Sequence, residues 1–177
     1  MIVVVDMLNP YTHDDAEPLM TSVANIVGPL ASMLEEARDR ELQLVYVNDN
    51  YGDWSVGRPE LIERALAGAA PELVRPVVPP PEVSFLVKAR HSIFYQTPLE
   101  YLLGQVGADK LVLTGQVTEQ CILYSALDAY VRHFEVVIAR DVVAHIHEDM
   151  ADAATRMMEM NMRADVVATA REAFELL

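Results

Sequence analysis

Six short runs rich in Val, Ile and Leu recur along the chain: "IVVVD" (Ile2 to Asp6), "LQLVYVND" (Leu42 to Asp49), "SFLVK" (Ser84 to Lys88), "KLVLTG" (Lys110 to Gly115), "EVVIAR" (Glu135 to Arg140) and "ADVVAT" (Ala164 to Thr169). Their apolar residues are consecutive rather than alternating, the pattern of strands covered on both faces. Between them, apolar positions fall at three-four spacing, as in Leu30, Met33, Leu34 and Ala37, and again in Leu123, Ala126, Leu127 and Tyr130. Those segments predict amphipathic helices, one of them over "EQCILYSALDAYVRH", Glu119 to His133. Strands alternating with helices predict a three-layer α/β/α fold with a central, mostly parallel six-stranded sheet and right-handed crossovers.

Two segments interrupt this rhythm. "PELVRPVVPPPEV", Pro71 to Val83, holds too many prolines for a helix or a central strand and is expected to be a surface connection. "MMEMNM", Met157 to Met162, is expected to pack a helix against the sheet or against a partner subunit. No repeat or low-complexity tract divides the chain, and residues 1–177 suit a single domain with a sizeable core.

Charge narrows the partners. Acidic residues outnumber basic ones 27 to 13, a formal charge of −14 with no offsetting Lys/Arg cluster, so nucleic acid is excluded. No apolar run approaches the ~20 residues that span a bilayer, and "MIVVVDMLNP" lacks the basic start of a signal peptide. The single cysteine, Cys121, forms no internal disulfide, in keeping with a reducing, cytoplasmic setting. Neither G-x-G-x-x-G nor G-x-x-x-x-G-K occurs, so both common phosphate cradles are missing.

Open parallel sheets bind ligands beyond the carboxyl ends of their strands. Asp6, Asn48, Asp49, Lys88 and the stretch from Thr114 to Cys121 follow strand ends and are expected to share that rim. Each has a plain structural role: a turn cap, a solvated charge, a small core residue. Together Asp6, Lys88 and Cys121 form a chemical set. A thiolate is the attacking form of cysteine, and a helix N-terminus and an ammonium both favour it. A carboxylate receives the proton.

The segments "VVVDMLNPY", "VYVNDNYGDW", "FLVKARHSIFYQTPLEYLL", "LVLTGQVTEQCILYSALDAYVRHFEVVIARDVVAHI" and "MNMRADVVAT" resemble the isochorismatase-like cysteine hydrolase family over essentially the whole length. K-x-R-H-S-x-F-x-x-T-x-L and T-G-x-x-T-x-x-C, in this order, are the specific motifs. The resemblance implies a Rossmann-like fold and a catalytic triad of Asp6, Lys88 and Cys121. It also implies a non-proline cis peptide between Val117 and Thr118, and an oxyanion hole from the N–H groups of Thr118 and Cys121. A dimer or tetramer acting on a small-molecule substrate, with no cofactor, follows by the same likeness.

Two details refine the expected chemistry. Family members that cleave a vinyl ether often lack the cysteine, so Cys121 favours hydrolysis of a C–N bond in an amide, carbamoyl or ureido compound through a thioester. Metal-binding nicotinamidases of the family carry Asp-x-His after the second strand, whereas Asp49-Asn50-Tyr51 stands here, which speaks against a metal. His13, His91, His133, His145 and His147 show no ligand spacing, and the last two read as surface groups. Tyr11 and Trp54 are candidates for an apolar substrate slot or for core and interface positions; Tyr51, His91 and Phe94 are weaker candidates. Arg90 suits a substrate carboxylate or a structural ion pair. The competing functions are ether hydrolysis with Cys121 a bystander, and a silent structural or thiol-sensing member.

Overall fold

A computed structural model describes residues 1–177 and shows a sheet of six strands, all parallel, in the order β3-β2-β1-β4-β5-β6. The strands are β1 (Ile2–Val5), β2 (Leu44–Asp49), β3 (Ser84–Lys88), β4 (Lys110–Gln116), β5 (Glu135–Ala144) and β6 (Asp165–Val167). The helices are α1 (Ala16–Asp39), α2 (Arg58–Leu66), α3 (Pro71–Val74), α4 (Leu99–Val106), α5 (Leu123–Val131), α6 (Glu148–Met162) and α7 (Ala170–Phe174).

Alternate strand side chains enter two cores, because successive residues of a strand point to opposite faces. Ile2, Val4, Tyr46, Val112 and Val137 pack with α1, α2, α3 and α7. Val3, Val5, Val47, Leu111 and Ile138 pack with α4, α5 and α6. Burial on both faces is the reason the strand runs are continuously apolar.

Three local readings differ from expectation. Pro71 to Val83 is not purely a surface connection: α3 and a 3-10 turn at Arg75–Val77 occupy its first half, and Leu73, Val74 and Val77 are buried. Pro71 and Pro76 sit at the first positions of those turns, where a missing N–H costs nothing. The proline-rich second half is gripped by Arg58, whose guanidinium donates to the carbonyls of Pro79, Pro80, Pro81 and Val83.

β5 runs four residues past Arg140, with a register shift against β4: Leu113 pairs with Ile138, but Gly115 pairs with Val143. The bulge carries Arg140 and Asp141 outward and brings Ala144 beside the end of β4. The Met-rich segment is split: Met158 and Met162 are buried under the sheet, while Met157 and Met160 are exposed.

The strand order reverses between β1 and β4, so the switch point lies where Asp6 follows β1 and Cys121 follows β4. Gly115 makes that approach possible. Its φ is +102°, and a Cβ there would collide with the Val5 carbonyl.

Candidate active site

Asp6 leaves β1 in the left-handed region, φ 56°, a conformation that short polar residues tolerate better than branched ones. The bend lets one carboxylate oxygen accept the Asp49 N–H at 2.7 Å and the other meet Lys88 Nζ at 2.8 Å. Lys88 ends β3 with its side chain fully buried, 0 % exposed, so its charge must be met within the protein. Asp49, ending β2, supplies a second carboxylate at 3.3 Å, and Cys121 Sγ lies 3.4 Å from the ammonium. Asp6 and Cys121 flank the same ammonium. The structure thus brings Asp6, Lys88 and Cys121 together, with Asp49 as a fourth member.

Burial pushes the Asp6 carboxyl up, against the opposing pull of Lys88. Burial lowers the Lys88 ammonium's proton affinity, but the Asp6, Cys121 and Asp49 side chains outweigh it and hold Lys88 above its ordinary range. Burial, then the Asp6 charge, pushes the Cys121 thiol well above its usual value, and Lys88 offsets only part of this. The helix start and the ammonium were expected to favour the thiolate; burial and the Asp6 charge act the other way. Both groups are thus shifted toward their protonated forms.

The helix carrying Cys121 also differs from expectation. Thr118–Ile122 forms a π-helical turn, and the regular α5 begins only at Leu123. The cis peptide lies between Gln116 and Val117, one bond before the expected Val117–Thr118 position. Gln116 still pairs with Ala144, and the Val117 carbonyl already accepts the N–H groups of Gln120 and Ile122. The reversal from strand to helix therefore falls on the bond between them. Thr118 Oγ1 donates to the Ala144 carbonyl at 2.9 Å, while the Thr118 N–H has no hydrogen-bond partner in the chain.

Cys121 opens on a cavity of about 280 Å³ that Asp6, Asp15, Asp49, His13, His91 and Gln120 help to line. Asn9, Leu19, Tyr51, Gln116, Val117 and Ile146 complete its wall. Asn48 braces the loop after β1, accepting the Leu8 N–H at 2.9 Å and donating to the Leu8 carbonyl at 3.3 Å. Tyr51 adds a hydroxyl donated to the same carbonyl at 3.0 Å. Of the weaker candidates, His91 reaches the thiol: Nδ1 is 3.6 Å from Sγ and the ring stacks on Tyr124.

Four expected pocket residues lie elsewhere. Tyr11 is a core residue, its hydroxyl donating to Gln116 Oε1 at 3.4 Å. Phe94 is buried against Phe134. Arg90 is exposed and donates to the Ala89 carbonyl. Trp54, 86 % exposed, borders a separate cavity of about 520 Å³ shared with Asn50, Lys88 and Tyr95. An aromatic following a strand end is compatible with either wall, so its residue type did not discriminate.

Sequence reasoning missed Glu119. It is buried, and Oε1 accepts the N–H groups of Ile146 and His147 at 2.9 and 2.8 Å. The carboxylate ties the loop after β5, with its cavity-lining Ile146, to the turn that carries Cys121. Glu119→Ala would orphan two backbone donors and is expected to lower unfolding free energy by about 2–3 kcal/mol. Chemical denaturation measures it, with Glu119→Gln, which keeps an acceptor, expected to lose less.

A buried thiol beside a Lys–Asp ion pair, at the switch point of a doubly wound sheet and open to a small cavity, is where an α/β fold places an enzyme site. The chain belongs to the isochorismatase family of hydrolases: the family's model, the Isochorismatase domain, matches residues 1–172. It is 30% identical to the uncharacterized isochorismatase family protein YaaI of Bacillus subtilis, covering 93% of this chain and 91% of that protein. Maleamate amidohydrolase of Pseudomonas putida is 27% identical, over 99% of this chain and 85% of its own. Among solved structures, N-carbamoylsarcosine amidase from Thermoplasma acidophilum superposes with a TM-score of 0.70 at 28% identity, covering 94% of each chain.

Proposed function

We propose that this hydrolase cleaves the C–N bond of a small amide, carbamoyl or ureido compound through a thioester on Cys121. The observation that carries the reading is the fully buried Lys88, held between Asp6 at 2.8 Å and Cys121 at 3.4 Å, both of which line the cavity. Two relatives, named as a maleamate amidohydrolase and an N-carbamoylsarcosine amidase, support this bond type.

In the proposed cycle the thiol proton passes to Asp6 as sulfur attacks the carbonyl carbon, so no resting thiolate is needed. Lys88 offsets the charge that develops on sulfur. The free Thr118 N–H, with that of Cys121, meets the oxyanion; one such donor is typically worth ~10²–10³ in rate. Asp6 returns the proton to the departing nitrogen as the C–N bond breaks, releasing ammonia or an amine and leaving the acyl group on sulfur. A water that gives its proton to Asp6 then attacks the thioester, and the carboxylic acid leaves as Cys121 regains its proton. We place this activity in the cytoplasm, in a homo-oligomer; exposed Tyr124, Leu127 and Val131 along α5 are in keeping with assembly.

The test is a panel of small amides and ureido compounds assayed for ammonia, with acid-quenched samples weighed intact. Turnover with an acyl mass on Cys121 is expected. Pyruvate release from a vinyl ether without any adduct would overturn the reading.

A further inference from the structure

We infer that the acyl compound taken by this site carries no carboxylate, and that the cavity discriminates by charge against substrates that do; this rests on Cys121 being the nucleophile. Three carboxylates, Asp6, Asp15 and Asp49, line the cavity, and no lysine or arginine does. The nearest cation is already consumed. An ammonium has three protons to donate, and Lys88 meets three acceptors: Asp6 at 2.8 Å, Asp49 at 3.3 Å and Cys121 at 3.4 Å. Arg90, next along the chain from β3, is exposed and spends a donor on the Ala89 carbonyl.

The neutral groups divide the same way. The Gln116 amide donates to the Asp6 carbonyl at 2.5 Å and accepts from Tyr11, and Asn9 accepts the Tyr11 N–H at 2.8 Å. Gln120 lines the cavity with a side-chain amide that makes no hydrogen bond in the chain, so it is the free neutral amide there. An amide offers both a donor and an acceptor, the complement of an uncharged carbamoyl or amide group. At about 280 Å³ the cavity sits at the small end of ligand pockets, which begin near ~300 Å³. A carboxylate placed in it would add a charge to a lining whose three carboxylates share one ammonium, Lys88, and which is therefore already net negative.

The single cysteine makes this measurable without a known substrate. Two methanethiosulfonates of similar size, one bearing trimethylammonioethyl and one sulfonatoethyl, are reacted with Cys121, and the adducts are weighed intact. In each reaction the Cys121 sulfur bonds to the reagent sulfur, methanesulfinate leaves, and the thiol proton is lost to solvent. The cation-to-anion rate ratio of the native protein, divided by that of the urea-unfolded chain, is expected to be roughly 10 to 100. Asp15→Asn removes one lining charge at a position whose side chain caps nothing, and should reduce the ratio several-fold. Glu159→Gln, an exposed change on α6 with the same effect on net charge, should leave it unmoved. A native ratio equal to the unfolded one, or equal losses in the two variants, would overturn charge selection while leaving the nucleophile in place. A third, uncharged reagent, methyl methanethiosulfonate, is the control: resistance of Cys121 even to it would overturn the nucleophile and this inference together.

Discussion

Cys121→Ala is expected to keep the fold and lose hydrolysis, with kcat falling at least ~10⁴-fold, the scale on which a removed nucleophile acts. The substitution deletes one sulfur at the rim of a cavity, so no large void forms and stability should change by less than about 1.5 kcal/mol. Lys88 keeps both carboxylate partners. A variant that melts like the parent but turns over no amide separates chemistry from structure. If Cys121→Ala retained a substantial rate, water would be attacking directly with Asp6 as base, and the thioester would be excluded.

Lys88→Met is expected to act on both levels. The ammonium is the only cation within reach of Asp6 and Asp49, and Asp6 is buried with it. Removing one partner of a buried ion pair commonly costs about 3–5 kcal/mol, because the abandoned charge has no water to turn to. Much of that loss should return in the double variant Asp6→Asn/Lys88→Met, which removes the stranded carboxylate as well. Hydrolysis should be lost in both. Unfolding in denaturant reads the first effect, and a native-like midpoint for Lys88→Met would contradict the buried pairing.

Most of the fold was legible because the strands are buried on both faces. The runs at Ile2, Leu42, Ser84 and Lys110 announce themselves as apolar stretches, and the observed strands start and stop within two residues of them. β5 was read four residues short for a physical reason. Arg140 and Asp141 interrupt its apolar run, yet they serve the structure: Arg140 pairs with Asp152 on α6, and Asp141 accepts the Ala170 N–H that opens α7. A polar pair that would end an isolated strand is tolerated where a bulge turns it outward.

The candidate site was legible where strand ends carry ionisable residues, which is how Asp6, Lys88 and Cys121 were expected on one rim, where the structure brings them together. What residue type does not convey is the depth of burial. Lys88 reads as a solvated lysine until its side chain is seen enclosed, and that same enclosure reverses the expected direction for the thiol. Glu119 escaped notice because a glutamate beside a helix start is ordinary. Its role depends on the chain returning 27 residues later at Ile146. The loop from Asn9 to Asp15 held a signal that was available: polar residues directly after β1, on the rim where ligands bind, now seen as one wall of the cavity.

The most direct test of a nucleophilic Cys121 is the pH dependence of its alkylation by iodoacetamide in the native protein and in Asp6→Asn. A free thiol inflects near ~8.5. With burial and the Asp6 charge both favouring the protonated form, the native inflection is expected above that value. In Asp6→Asn the charge is gone and Lys88 remains, so the inflection should move down. An inflection at the free-thiol value in both proteins, indifferent to Asp6, would contradict the coupled site and leave Cys121 a packing residue.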